Sequence, residues 1–205
     1  MSIKIIGISA FYHDAAAALI IDGKVIACAQ EERFSRIKND SEFPKHALEF
    51  CLEQGSKDLG QPLTIDDIDY LVFYEKPILK FERILLSCLK YFPKTFWFFV
   101  KSMITWFSDK LWMKGKLAEL SGIKPEKIIF SKHHLSHACS SYFCSDYNDA
   151  AVLTIDGVGE WATTTIGHAQ GNQIKLLEEI QFPNSIGLLY STLTAFLGLD
   201  RKSVV

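Results

Sequence analysis

Three short apolar segments at the start of the chain constrain its fold more strongly than any other feature. They read IKIIGISA, AAAALII and KVIACAQ, and two polar breaks separate them, at His13-Asp14 and at Asp22-Gly23. Short apolar runs bounded by turn residues are typical of buried strands, and Asp-Gly is a preferred hairpin dipeptide. The opening therefore predicts three strands joined by two turns, with a histidine and an aspartate in the first turn at one edge of a sheet.

The rest of the chain alternates helix and strand patterns and predicts a mixed α/β fold. A helix is expected to start near Pro44 and to end with Gly55 as its C-cap. Residues 78–121 are expected to form a mostly helical, aromatic-rich insertion that is broken at Pro93. Further strands are predicted at about 68–74, 126–130 and 150–157, followed by two strands that turn at 170–172 and an apolar helix at 186–198.

Composition and charge limit the classes of function. The 205 residues carry a net charge of −2, which argues against bulk electrostatic binding to nucleic acid or to an anionic membrane. The five cysteines include no CxxC pair, so we expect free thiols in a reducing compartment. The apolar start lacks the cleavage pattern of a signal peptide, so the cytoplasm is the expected location.

The segment TFWFFVKSMITWF, residues 95–107, is the aromatic-rich stretch for which contact with a membrane has to be considered. It is too short to cross a bilayer, so no membrane span is expected. A helix packed on the core or on a partner is the simpler interpretation. An amphipathic helix at a membrane surface is the alternative, and it is kept open by four basic residues, Lys101, Lys110, Lys114 and Lys116.

Three of the six histidines lie within HHLSH, residues 133–137. On a helix, His133 and His137 would lie on one face and one turn apart, where both imidazoles can reach a single metal ion. His134 would point about 100° away and is not expected to be a ligand. The spacing alone is a weak signal and favours the alternative, because histidines at helical spacing are usually solvated or hydrogen-bonded residues that bind no metal.

A carboxylate at the end of the apolar run AVLTID is a second candidate. Asp156 ends this run, and Gly157 and Gly159 follow it. Ligands meet α/β sheets at the carboxyl ends of strands, and glycines let backbone N–H groups approach a phosphate or a carbonyl closely. An ordinary Asp-Gly turn remains the alternative.

Two further groups of residues have suitable chemistry. His13 is a natural general base near neutral pH, and Asp14 beside it completes a polar pair; an exposed turn is the alternative. In EERFSRIKND, the cations Arg33, Arg36 and Lys38 could bind a phosphate. A solvated charged loop is the alternative there, and charge alone favours it.

Taken together, these segments resemble the N-terminal part of the NodU/CmcH family of O-carbamoyltransferases. The similar segments, in order, are GISAFYHDAAAALIIDGKVIACAQEERFSRIKND, YEKPILKFERILL, HHLSHACSSYF, LTIDGVGEWATTTIG and NSIGLLYSTLTAFLG. The resemblance runs over nearly the whole chain. It implies a metal-binding domain similar to the tRNA threonylcarbamoyladenosine synthases. The implied fold is of the actin/sugar-kinase/Hsp70 (ASKHA) type, built on ribonuclease-H-like halves.

The resemblance also implies roles for individual residues. His133, His137 and Asp156 match three ligands of a divalent metal ion, usually iron (Fe²⁺). His13 matches a histidine proposed to deprotonate the acceptor hydroxyl, and Asp14 beside it is a second catalytic candidate. A further aspartate ligand of the family matches no residue of this chain.

The implied reaction moves a carbamoyl group from carbamoyl phosphate, through a carbamoyl-adenylate made with ATP, to a hydroxyl of a sugar or natural-product acceptor. Lys38 matches a basic residue near the carbamoyl-adenylate, and Arg33, Gly157 and Gly159 are further candidates for binding it. In the family a C-terminal domain forms the adenylate. Because family members are much longer, residues 1–205 are expected to be a truncated N-terminal part that is inactive alone.

Two other interpretations stay open at this stage. One is an actin-like nucleotide-binding kinase or ATPase half, which has no need of HxxxH, so metal content would separate it from a carbamoyltransferase. The other is a non-catalytic interaction module that uses the aromatic segment 95–107. Besides the small-molecule acceptor, the expected partner is a missing C-terminal half or a second copy, because the apolar helix at 186–198 needs a covering surface. Nucleic acid is not an expected partner.

Overall fold

In the computed structural model, which describes residues 2–108 and 110–199, the three opening segments form the predicted strands. They are β1 (Lys4–Ser9), β2 (Ala16–Ile21) and β3 (Lys24–Gln30), and they pair antiparallel in sequence order. The hairpin between β2 and β3 turns at Asp22 and Gly23, whose φ angles are 49° and 80°. A type I′ turn requires positive φ at both central residues, so the predicted Asp-Gly hairpin is confirmed.

The other described residues form five more strands and seven α-helices. The strands are β4 (Tyr70–Phe73), β5 (Ile128–Phe130), β6 (Asp149–Ile155), β7 (Ala162–Gln170) and β8 (Gln173–Gln181). The helices are α1 (Glu32–Ser35), α2 (Lys45–Leu59), α3 (Pro77–Lys90), α4 (Phe96–Ser108), α5 (Met113–Ser121), α6 (His133–Tyr142) and α7 (Ile186–Phe196). Short 3₁₀ helices lie at Ile65–Asp67, Lys110–Trp112 and Pro125–Lys127.

The chain divides into two units, and each contains one sheet. The first unit, Met1–Tyr74 with Thr105–Ser131, holds a sheet of order β3-β2-β1-β4-β5, in which β4 runs parallel to both β1 and β5. The second unit, Glu75–Ile104 with Lys132–Val205, holds the antiparallel sheet β6-β7-β8. Helices flank the sheets, so the predicted mixed α/β class with a mixed sheet is confirmed.

An apolar core stabilises the first unit. Helix α2 packs on β2 and β3, and α5 packs on β5. Leu19, Leu71 and Leu117 are completely buried in this core, and Phe73 is almost completely buried. Burial of one such side chain contributes about 1.5–3 kcal/mol relative to its exposure to water.

The predicted end of α2 is wrong. The helix continues through Gly55 and ends at Leu59, and Gly60 caps it with a φ angle of 67°. Gly55 is buried, and a Cβ atom there would lie 2.5 Å from side-chain carbons of both Leu19 and Leu63. The glycine is therefore required by close packing inside the helix, and the left-handed C-cap falls on the next glycine along the chain.

The helical stretch after β4 breaks near Pro93, as predicted: α3 ends at Lys90 and α4 begins at Phe96. Within α4, Trp106 is buried, whereas the side chain of Trp97 is 79 % exposed and Phe98 is also exposed. Among the residues described, no helix has the length and apolarity needed to cross a membrane.

The second unit has a smaller core. Helix α6 packs on one face of its sheet, where Ala138 and Tyr142 meet Val152 and Ala169. The predicted turn at 170–172 joins β7 to β8. Side chains that alternate with the core residues point the other way, and Leu153 on that face is 61 % exposed. Much of the apolar surface of α7, including Leu189, Tyr190 and Phe196, is also exposed.

Candidate metal centre

Helix α6 presents His133 and His137 from its first two turns, and a buried carboxylate closes its N-terminus. The backbone N–H of His133 donates to both oxygens of Glu160, at 3.1 and 3.2 Å. Glu160 is 7 % exposed and also accepts from the backbone N–H of Lys76 at 2.7 Å. Since the first N–H groups of a helix have no partner within the helix, Glu160 satisfies one of them and locates the start of α6.

Asp156 follows directly after β6, and its backbone is held by the neighbouring segments. Its N–H donates to the carbonyl of Thr163 at 2.9 Å, and its Oδ1 accepts from the N–H of Gly157 at 2.7 Å. Gly187 in the first turn of α7 lies so close that an added Cβ would be 2.4 Å from the Asp156 carbonyl oxygen. These restraints direct the other carboxylate oxygen, Oδ2, toward α6.

Three donor atoms converge between α6 and the end of β6. His133 Nε2 lies 2.8 Å from Asp156 Oδ2 and 3.1 Å from His137 Nε2, and His137 Nε2 lies 3.9 Å from Asp156 Oδ2. One metal ion with bonds of about 2.0–2.2 Å holds neighbouring ligand atoms roughly 3.0–3.5 Å apart. The observed separations bracket that range, so these residues fit one ion. Two imidazoles and a carboxylate suit iron, zinc or manganese.

His133, His137 and Asp156 affect one another's pKa values. Burial lowers the pKa of His133, but the hydrogen bond to Asp156 and the nearby Glu75 carboxylate outweigh burial and raise this pKa to about 9. The hydrogen bond from His133 lowers the pKa of Asp156 to about 2, against the effect of burial. Burial and the charge of His133 lower the pKa of His137. At neutral pH, therefore, a metal ion that binds at His133 would have to displace a proton from it.

His134 is buried and does not belong to the converging group, as its position on the helix predicts. Its Nδ1 lies 2.6 Å from the hydroxyl of Thr154, and its Nε2 lies 2.8 Å from the carbonyl oxygen of Ala162. A carbonyl only accepts, so Nε2 carries the proton and donates to it. Burial lowers the pKa of His134, so this side chain is a neutral structural residue that fixes α6 on the sheet.

Both glycines of the loop after Asp156 donate their N–H groups within the loop. The Gly157 N–H donates to Asp156, and the Gly159 N–H donates to the carbonyl of Ala162 at 3.1 Å. A Cβ on Gly159 would lie 3.0 and 3.1 Å from ring carbons of His134 and His133. Gly159 therefore allows the loop to pass close to both histidine rings.

The first unit contains the His13-Asp14 pair. His13 Nδ1 lies 2.8 Å from Asp14 Oδ2 in the turn between β1 and β2, and both side chains are partly exposed. Asp14 has a φ angle of 50°, a left-handed conformation that aspartate tolerates better than most residues. The pair thus lies at one edge of the first sheet, as the opening pattern predicts.

The basic loop of the first unit contributes to a hollow of about 370 Å³. Its lining residues are Asp14, Glu32, Arg36, Lys38 and Asn39. The structure thus brings Lys38 and Asp14 to one hollow, whereas Arg33 is not among the residues that line it.

Two carboxylates near α6 were not predicted from the sequence to belong to the site. Glu160 is one, and Glu75 is the other: its Oε2 lies 3.7 Å from His133 Nδ1 and 2.9 Å from Lys80 Nζ. Burial opposes the ionisation of Glu75, but His133 and Lys80 outweigh burial and lower its pKa. The similarity of YEKPILKFERILL to the family was the available signal for Glu75, whereas no local pattern marks Glu160.

Comparisons with known proteins find relatives that match over nearly the whole of this chain. An uncharacterized protein of Synechocystis sp. is 45 % identical over 206 residues, which cover 97 % of this chain and 32 % of that protein. Nodulation protein NolNO of Sinorhizobium fredii is 33 % identical over 193 residues, covering 92 % of this chain and 26 % of NolNO. An uncharacterized protein of Methanocaldococcus jannaschii is 24 % identical over 186 residues, which cover 91 % of this chain and 28 % of that protein.

The chain thus spans only 26 % to 32 % of the length of these relatives. Residues 4–204 match the family model described as Carbamoyltransferase N-terminus. This match does not favour the kinase or ATPase interpretation. The chain belongs to the carbamoyltransferase N-terminus family.

Proposed function

We propose that this chain is the metal-binding part of a cytoplasmic O-carbamoyltransferase that acts on a hydroxyl group of a sugar or natural-product acceptor. The convergence of His133, His137 and Asp156 in a chain of this family carries the proposal. The carbamoyl donor is carbamoyl phosphate, which first reacts with ATP and water to give carbamoyl-adenylate, phosphate and pyrophosphate. We assign that first step to the parts of the longer relatives that this chain does not match.

The proposal includes the ASKHA fold with its ribonuclease-H-like halves. The antiparallel strands β1, β2 and β3, followed by the parallel strands β4 and β5 in the same sheet, support it. Residues 1–205 then belong to the metal-binding domain, and the helices within 78–121 are an insertion into it.

A divalent ion, Fe²⁺ in this proposal, supplies Lewis-acid polarisation of the carbamoyl carbonyl or charge neutralisation at phosphate oxygens when it is bound. His133, His137 and Asp156 hold it. The loop glycines Gly157 and Gly159 support these residues: the Gly157 N–H orients Asp156, and Gly159 lets the loop pass close to the histidine rings.

His13 acts as the general base in this proposal. Its Nδ1 faces Asp14 at 2.8 Å, so Nε2 is the nitrogen that takes the proton from the acceptor hydroxyl. The acceptor oxygen then bonds to the carbamoyl carbon, the bond from that carbon to the adenylate oxygen breaks, and AMP leaves. Lys38 provides positive charge for the adenylate phosphate, and Arg33 adds to the charge of that loop.

Elemental analysis of anaerobically purified protein tests the metal site. We expect about one iron or zinc ion per chain in the wild type and none in the His133→Ala/His137→Ala variant. His168→Ala is the matched control: His168 lies on β7 in an exposed pair with Asp149 and is expected to leave the metal content unchanged. A metal-free wild type after reconstitution with Fe²⁺ or Zn²⁺ would overturn the proposal.

A second experiment tests whether the adenylate-forming step lies outside this chain. With carbamoyl phosphate, ATP and a panel of sugars, we expect no carbamoyl transfer by the 205-residue chain, because the adenylate-forming step is assigned elsewhere. Transfer by this chain alone would contradict that assignment. ATP hydrolysis that persists in the His133→Ala/His137→Ala variant would instead favour a kinase or ATPase half.

A further inference from the structure

The segment YEKPILK has no role in the proposed reaction, yet it carries a buried carboxylate. Glu75 is only 8 % exposed. Removing a carboxylate from water costs several kcal/mol unless the charge is paired and hydrogen-bonded. A buried glutamate is therefore informative, and its neighbours Lys80 and His133 indicate what it does.

Lys80 fixes the Glu75 carboxylate from one side. Its Nζ donates to both carboxylate oxygens, at 2.9 and 3.1 Å, from the first turn of α3. The Lys80 side chain is itself largely shielded from water. A partly buried pair with two hydrogen bonds is weakly screened, so it holds Glu75 in one orientation.

His133 lies on the other side of the same carboxylate. Its Nδ1 is 3.7 Å from Glu75 Oε2, which is within range of charge attraction but longer than a direct hydrogen bond. Its other nitrogen, Nε2, faces Asp156 and His137. The two ring nitrogens of His133 thus face two different groups of acceptors, with the candidate metal ligands on one side only.

A second connection ties the same segment to α6. Glu160 accepts from the backbone N–H of Lys76, which follows Glu75, and from the backbone N–H of His133. The residue before α3 and the first residue of α6 therefore share one buried carboxylate. This shared acceptor holds the backbone next to Glu75 close to the backbone of His133.

We propose that Glu75 is a positioning residue of the metal centre, which holds the His133 ring with Nδ1–H toward its own carboxylate and Nε2 toward the ion, while Lys80 holds Glu75. The inference rests on the proposed metal site. Metal-bound histidines commonly donate their second N–H to a carboxylate, which fixes the tautomer and the orientation of the ring. Lys80 adds a specific function: it neutralises Glu75 and keeps its oxygens from turning to bind the ion.

Metal affinity of the Glu75→Gln variant is the primary test, because this change removes the charge and keeps the shape. We expect Zn²⁺ or Co²⁺ binding, measured by competition with a chromophoric chelator, to weaken about 10- to 100-fold. Glu75→Asp is expected to restore part of the affinity. Glu178→Gln, an exposed residue on β8, is the matched control for loss of one negative charge and is expected to bind like the wild type.

The Co²⁺ absorption spectrum and a double-mutant cycle separate positioning from a general loss of structure. In Glu75→Gln, the Co²⁺ bands are expected to shift, while the circular dichroism spectrum stays close to that of the wild type. The melting temperature is expected to fall, because Lys80 loses its partly buried partner. The effects of Glu75→Gln and Lys80→Met on affinity are expected to be less than additive, because both act through one carboxylate.

The possible results separate the two proposals. A wild type that binds no metal overturns the proposed function and this inference together. A wild type that binds metal, with Glu75→Gln equal to it in affinity and Co²⁺ spectrum, overturns the inference alone. If Glu75→Gln does not fold, ¹⁵N-correlated spectra of the histidine rings in Zn²⁺-loaded wild type decide the matter. A protonated Nδ1 on His133 supports the inference, and a protonated Nε2 overturns it.

Discussion

The two units of the chain are stabilised in different ways. In the first, nineteen buried apolar residues form a core around the five-stranded sheet, whereas only four form the core of the second. The second unit depends more on buried polar contacts: Thr163 and Thr165 are fully or almost fully buried, and Thr154 bridges His134 and Thr165 by hydrogen bonds of 2.6 Å. Hydrophobic burial is non-directional, whereas hydrogen bonds fix orientation. The unit that carries the candidate metal centre is thus the one in which buried hydrogen bonds fix the orientation of side chains.

The largest expected effect tests the contrast between the cores. Leu71→Ala in β4 removes a fully buried side chain from the first unit and is expected to cost about 2–5 kcal/mol of unfolding free energy. Leu153→Ala in β6 makes the same change on an exposed face of the second unit and is expected to change it by less than about 0.5 kcal/mol. Urea unfolding of both variants gives the comparison, and equal losses would contradict it.

Substitution of one glycine in each unit extends the comparison of the two units. Gly159→Ala would place a Cβ 2.9 Å from the Ala162 carbonyl oxygen and against two histidine rings, so we expect a loss of about 1–3 kcal/mol and weaker metal binding. Gly115→Ala in α5 meets open space and is expected to stabilise the protein by about 0.5–1 kcal/mol. Thermal unfolding measures the two opposite signs. A Gly159→Ala variant that is as stable as the wild type and binds metal equally well would refute the proposed close packing.

The third prediction concerns the proton on His133. Its pKa is raised to about 9, so one proton must leave when a metal ion binds between pH 6.5 and 9. Apparent Zn²⁺ affinity is therefore expected to rise about tenfold per pH unit over this interval and to level off above pH 9. Chelator competition at a series of pH values measures the slope. An affinity that does not change with pH would show that His133 is not a ligand.

The smallest expected effect is on the stability of the metal-free protein. The raised pKa of His133 contributes stability that is complete below pH 6.5 and disappears as pH rises through about 9. The lowered pKa of Asp156 contributes stability that is complete above pH 3.8 and disappears as pH falls through about 2. The difference in unfolding free energy between the wild type and Asp156→Asn is therefore expected to be greatest between pH 4 and 6.5.

The matched control for this experiment is Asp149→Asn. Asp149 also pairs with a histidine, His168, but both side chains are exposed, so solvent screens the pair. Its difference from the wild type is expected to be smaller than that of Asp156→Asn at every pH. Similar curves for the two variants would show that burial adds nothing to the His133–Asp156 pair.

Local patterns were sufficient for much of the architecture. The three opening strands, the Asp-Gly hairpin and the helical break near Pro93 follow from short-range rules of apolar spacing and turn chemistry. The four-residue spacing of His133 and His137 also places both rings on one face of α6, and Asp156 was identified by its position at the end of a strand. These predictions needed only residues that are close along the chain.

Other features depended on residues that are distant along the chain. Gly55 stays inside α2 because Leu19 and Leu63 pack against it, so a local C-cap rule chose the wrong glycine. Glu160 caps α6 from 27 residues away, and Glu75 lies beside a histidine 58 positions later, so no spacing rule marks either one.

The sequence by itself determined most of the strands and helices and the types of ligand that the chain can offer, because these depend on local periodicity and side-chain chemistry. Only the tertiary structure decided which side chains meet. It brought His133, His137 and Asp156 together, left His134 as a structural residue, and placed two buried carboxylates behind the histidines. The physical reason is that a buried charged group is stable only beside its partners, and folding alone chooses those partners.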